Sequence, residues 1–222
     1  MALRLHGITV ADGSVDMPTR DLREIEFPAP GATGTWSVTP KLIPFRDLCA
    51  IVSEQRTFTL DAPTREMVDF HRSVVDAVFR TATVLPAPVG VVFRAPDVLK
   101  RWMELHYVAL TGALEFVEDR VVARVHVVRA ESTPEDRETG SDLAAEAAES
   151  LRALRRHAVS SVPLRREEVT GLALSSAFLI DRSAWAPFVG AAKEQESEHR
   201  LLQFKVSGPW APYDFVNMQF GG

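Results

Sequence analysis

The sequence predicts an α+β protein of two domains. The first is a small mixed sheet with helices over residues 1–95. A linking helix spans 96–118, and a ferredoxin-like domain fills 119–222. Three observations carry this. A chain of 222 residues is long enough for one large domain or two small ones. Short β-rich runs and helical stripes alternate along it without an internal repeat. From residue 119 the order of segments is β-α-β-β-α-β, the split βαβ arrangement.

Residues 3–10 alternate and are β-rich, as an opening strand requires. Residues 11–34, with glycine, proline and acids, read as irregular. Residues 35–43 and 49–54 read as two strands joined through Phe45, Arg46 and Asp47. Asp61 and Pro63 announce a helix, and Met67, His71, Val74, Val75, Val78 and Phe79 recur at helical spacing. Residues 83–85 and 89–93 are short extended pieces around Pro86 and Pro88. Pro96 suits the first turn of the next helix, where its missing N–H costs nothing. Val98, Trp102, Leu105, Ala109 and Phe116 mark the face this helix is expected to bury, up to about residue 118.

In the second half, "RVVARVHVVRA" (120–130) is a strand and "STPEDRETGSD" a charged loop. Ser141 can cap a helix striped by Leu143, Ala147, Leu151 and Leu154. Its early Glu146 and Glu149 and late Arg155 and Arg156 complement the helix dipole. Residues 159–164, broken by Pro163, and 170–180 are strands. Ser183 is expected to cap a helix that buries Trp185, Phe188, Val189 and Ala192, and 200–206 is the last strand.

Composition narrows the function. A net charge of −5 argues against a nucleic-acid surface, which needs clustered Lys and Arg. Cys49 is the only cysteine and sits in an apolar run, so it reads as a small buried hydrophobe in a reducing cytosol. Neither a signal-peptide core nor an apolar run of ~20 residues is present, which leads to an expected cytoplasmic location with no transmembrane segment.

No nucleophile elbow, phosphate-binding loop or dinucleotide fingerprint occurs. "GATG" (31–34) follows a proline-rich loop and reads as a turn. The six histidines are His6, His71, His106, His126, His157 and His199, and none pairs with another at i+2, i+3 or i+4, the spacings of a local metal clamp. His71 lies on the apolar stripe of its helix, where an imidazole must find a hydrogen-bond partner. His126 sits mid-strand. The carboxylates fall in solvated charged runs rather than in pairs. The residues thus predict neither a catalytic nor a metal site, and no cofactor. A ligand- or haem-binding enzyme or sensor on a ferredoxin-like scaffold, with His71 or His126 at its pocket, is the alternative.

The densest signal is "SGPWAPYDFV" (207–216), two prolines and three aromatics in ten positions. Gly208 can adopt a turn forbidden to other residues, and Pro209 and Pro212 stiffen the backbone beyond it. Two readings are open. The segment packs back and locks the domains, or it presents Trp210 and Tyr213 to a partner.

With "LHGITV", "DLCAIVSE" and "TVLPAPVGVVF", this stretch resembles, in order and over nearly the whole chain, the gas vesicle accessory family GvpL/GvpF. The matching positions are Gly7, Ile8 and Val10; Ala50, Val52 and Ser53; His71; Leu85, Pro86 and Gly90; and Gly208, Pro209, Trp210, Pro212, Tyr213 and Phe215. Departures are Pro88 and Val89 in place of an Arg-Phe pair, Ala211 in place of a proline, and Asp214 where a serine is common. The resemblance implies a two-domain α+β fold with a ferredoxin-like second domain, and no enzymatic activity. It implies a role in gas vesicle nucleation and assembly, or as a minor structural component. The implied partners are the hydrophobic shell protein GvpA and other accessory proteins, and the implied location is the gas vesicle. For such a role an exposed sheet edge can add a strand, and residues 200–206 and 121–128 are the candidate edges.

Overall fold

The computed structural model describes residues 2–11, 26–28, 35–37, 40–55, 63–130, 143–164 and 171–216. They belong to two units, Met1–Glu118 with Val216–Gly222, and Asp119–Phe215.

In the first unit the antiparallel sheet runs β4 (Lys41–Phe45), β5 (Leu48–Gln55), β1 (Ala2–Val10), β6 (Val84–Pro86), with β7 (Val92–Phe93) also on β1. Two further strands, β2 (Glu26–Pro28) and β3 (Thr35–Ser37), form a separate ribbon. Residues 26–28 were expected to be irregular. The strand expected over 35–43 is instead two, β3 and β4, with Pro40 between them; proline has no N–H to continue a ladder.

Helix α1 (Arg65–Phe79) is capped by the Thr64 hydroxyl, which accepts from the Met67 N–H at 3.3 Å. The expected initiator Asp61 lies outside the described residues. α1 buries Phe70, His71, Val74, Val75, Val78 and Phe79. The helical stretch after Pro96 is two helices, α2 (Pro96–Leu105) and α3 (Tyr107–Val117), meeting at His106 (φ −105°, ψ 10°). Of the face expected to be buried, Trp102 packs on the core, whereas Val98, Leu105, Ala109 and Phe116 are exposed. Leu99, Met103, Leu110, Leu114 and Val117 point in, joining Leu3, Leu5, Ile8, Leu48, Ala50, Val52 and Leu85 in one core. Leu105 and Val108 point out, 74 % and 81 % exposed.

The second unit is the ferredoxin-like order β8 (Arg120–Arg129), α4 (Leu143–Leu154), β9 (Ser160–Pro163), β10 (Leu172–Asp181), α5 (Trp185–Glu198), β11 (Leu202–Trp210). The strands lie β11-β8-β10-β9, every neighbour antiparallel. The expected cap Ser141 lies outside the described residues. Ser183 does not cap α5. It sits in a 3₁₀ turn, Arg182–Ala184, and Ala184 precedes the helix without a side-chain bond. Phe178 of β10 meets Phe188 of α5 at a ring distance of 5.2 Å, both fully buried. Strand alternation turns Val122, Ala177 and Leu179 to the opposite face of the sheet.

Candidate functional site

The opening strand carries a fault in its pattern. Leu3 and Leu5 share a face, but Ile8, out of phase by one, joins the same core. The cause is a β-bulge: Leu5 pairs with Val52 and Gly7 with Ile51, leaving His6 as the extra residue. His6 is fully buried on the α1 side. Its Nδ1 lies 3.3 Å from Nδ1 of His71, and its Nε2 lies 2.9 Å from Oγ of Ser53.

Two neutral imidazoles can share such a contact only if one donates and the other accepts. His71 also meets the Ala87 backbone. The Ser53 hydroxyl extends the chain at His6 Nε2, so one ring donates and the other accepts across the Nδ1–Nδ1 contact. Burial pushes His6 well below its ordinary pKa, with the His71 and Arg4 charges adding to it. Burial takes His71 down to about 4, the Ala87 bond pulling the other way and Arg4 adding to the fall. Both rings are therefore neutral at pH 7. A pair this enclosed, 0 % and 1 % exposed, organises the sheet rather than meeting a ligand.

Motifs from distant parts of the chain converge here. Gly7 pairs with Pro86 and Ile8 with Leu85, and the Ala87 N–H donates to the His6 carbonyl at 2.9 Å. A Cβ on Gly7 would stand 2.7 Å from the Leu85 carbonyl oxygen, so only glycine lets β6 approach. Gly90 turns the chain with φ 95°, and the Val91 carbonyl beyond it accepts from Leu5 N–H at 3.0 Å. The contact invisible in the sequence was His6 to His71, a pairing across 65 positions that no local spacing rule detects.

The closing stretch is not a tail leaving the last strand. β11 continues through it to Trp210, which pairs with Val122 of β8 after an irregularity at Gly208 and the cis peptide to Pro209. Gly208 has φ 134°, and a Cβ there would lie 2.6 Å from the Val122 carbonyl oxygen and 2.8 Å from the Trp185 ring. Beyond it, Ala211 and Pro212 are buried, and Phe215 packs on the Val122, Ala177 and Leu179 face. Asp214 takes the Arg124 guanidinium in a two-pronged bond, 2.9 and 3.0 Å. Trp210 remains 41 % exposed, its Nε1–H donating to Ser207 Oγ at 3.2 Å, and Tyr213 is half-buried.

Of the two strands considered as edges, β8 lies inside the sheet and β11 lies at its border. Beside β11 runs a groove of about 620 Å³ under α5.

This fold and its motif positions can be set beside known proteins. The family model "Gas vesicle synthesis protein GvpL/GvpF" matches residues 19–150 and 135–217. The chain belongs to the GvpL/GvpF family. Among curated GvpL/GvpF-type relatives, gas vesicle protein F2 of Halobacterium salinarum is 28 % identical over 86 % of this chain and 84 % of that protein. Gas vesicle protein F of Haloferax mediterranei is 27 % identical over 89 % and 90 %. The fold is also that of solved GvpF structures. The crystal structure of GvpF from Anabaena sp. PCC7120 aligns with a TM-score of 0.75 at 14 % identity, over 100 % of this chain and 98 % of that one. GvpF from Microcystis aeruginosa aligns at 0.70 and 13 %, over 98 % and 99 %. Among the described residues of this GvpL/GvpF chain, no helix is long and apolar enough to cross a membrane.

Proposed function

We propose that this chain is a non-catalytic accessory protein of gas vesicle assembly that binds the shell protein GvpA, and other accessory proteins, in the cytoplasm and on the growing vesicle. The family match supports the gas vesicle setting. The observation that carries the binding role is the border strand β11 with its apolar groove, ending in the exposed indole of Trp210. A shell protein that excludes water exposes apolar surface before it assembles, and such surface aggregates unless covered. An edge strand flanked by apolar side chains covers it in register. Trp210 is the contact residue of the closing motif in this reading. Gly208, Pro209, Pro212 and Phe215 hold it in place, with Tyr213 at the margin.

Co-purification of the tagged protein with co-expressed GvpA tests this. Capture by wild type and loss in a folded Trp210→Ala, Tyr213→Ala double variant places the contact at the motif. Capture by both keeps the role and makes the motif structural. Capture by neither overturns the role.

A further inference from the structure

Border strands are hazardous because their outward N–H and C=O groups template unwanted pairing. β11 handles this with a side chain from the neighbouring helix. Phe204 faces Val127 of β8, yet its N–H is turned away from the sheet and donates to Oε2 of Glu196 on α5 at 3.0 Å. The Leu202 N–H, on the same side, is taken by the His199 carbonyl at 2.9 Å. Strand alternation turns the Val206 N–H outward as well. The Glu196 carboxylate therefore occupies the place that the carbonyl of an added strand would take.

The groove next to it has an apolar floor of Val189, Ala192, Phe204 and Val206 and a rim of Lys193 and Glu196. Lys193 is one helical turn from Glu196, so a carboxylate displaced from Phe204 has a cation within reach. The two rim charges then satisfy each other and leave no net charge facing an occupant. That charge balance selects an uncharged extended segment, with an apolar side chain at alternate positions to fill the floor.

We propose that the α5–β11 groove is a strand-acceptor site held shut by Glu196, and that its occupant is an extended apolar segment of the shell protein. The segment pairs with β11 at Phe204 and Val206, and its carbonyl replaces the Glu196 carboxylate on the Phe204 N–H. This rests on the reading of the chain as a shell-protein binder.

The test compares GvpA capture by the full-length wild type, Glu196→Ala and Val206→Pro, with sedimentation of each protein alone. Proline at 206 removes an outward N–H and no ladder bond, so the border strand keeps its pairing to β8. Should Val206→Pro lose the wild-type circular dichroism, Val189→Arg fills the groove from the helix side instead. Expected is severalfold greater capture by Glu196→Ala and background capture by the blocking variant. Equal capture by all three overturns the acceptor site while leaving the assembly role standing. No capture by wild type or Glu196→Ala removes the assembly role and this proposal with it. Self-association of Glu196→Ala without a gain in GvpA capture overturns the choice of occupant in favour of a second copy.

Discussion

At Gly208 and Asp214, two residues of one motif have different kinds of necessity. Gly208 is required by its backbone and by space, since its φ of 134° is strained for any side chain and a Cβ meets Val122 and Trp185. Gly208→Ala should cost about 1–3 kcal/mol and lower the thermal midpoint, as differential scanning calorimetry would show; an unchanged midpoint would mean that β11 can re-route. Asp214 is required by charge. Asp214→Ala strands the Arg124 guanidinium and should cost about 1.5–3 kcal/mol, measurable by urea titration, while Asp214→Asn should recover part of it. The need for glycine and stiff prolines was legible in the local string. The Arg124 partner was not, because it lies 90 positions away and nothing in an alternating strand distinguishes a paired arginine from a solvated one. His71 shows the same divide: its place on an apolar stripe demanded a partner, and only the fold identifies His6.

At the scale of elements, the bulge in β1 is the feature on which the first sheet depends. It lets Leu5 and Ile8 face one core while His6 reaches α1. Gly7→Ala forces a methyl against the Leu85 carbonyl and should cost about 1–3 kcal/mol. Hydrogen exchange should then quicken first at Ala87, whose N–H bonds to His6; uniform protection would show that β6 shifts without loss. Helices and strands with steady periodicity were legible. The break at His106 was not, since Leu99, Met103, Leu110, Leu114 and Val117 stay in phase across it. The length of β11 was not legible either, because Gly208 and Pro209 read as the end of a strand, whereas at a sheet border they can be part of one.

For the whole molecule, the buried imidazole pair ties stability to pH. His6 and His71 have folded pKa values below the ordinary histidine value, His71 at about 4. The unfolded chain therefore binds more protons than the folded one once the pH falls below about 6.5. Their contribution is complete above that value and is lost progressively down to about pH 4. The urea midpoint should fall between pH 7 and pH 5, and His71→Gln should flatten that slope; an identical slope in the variant would clear the pair of responsibility. The βαββαβ order of the second unit was accessible from the sequence, but the place of β8 inside the sheet was not, since 121–128 read as a candidate edge. The first unit follows no such order, since its sheet draws on strands that the chain scatters.

That scatter matters during synthesis. The central strand β1 is translated first, but its neighbour at Pro86 follows Gly7 by 79 positions. At ordinary ribosomal speeds it waits about 4 to 16 s for that partner. Until then only β5 can cover β1, and the open side keeps N–H and C=O groups that template pairing with other extended chains.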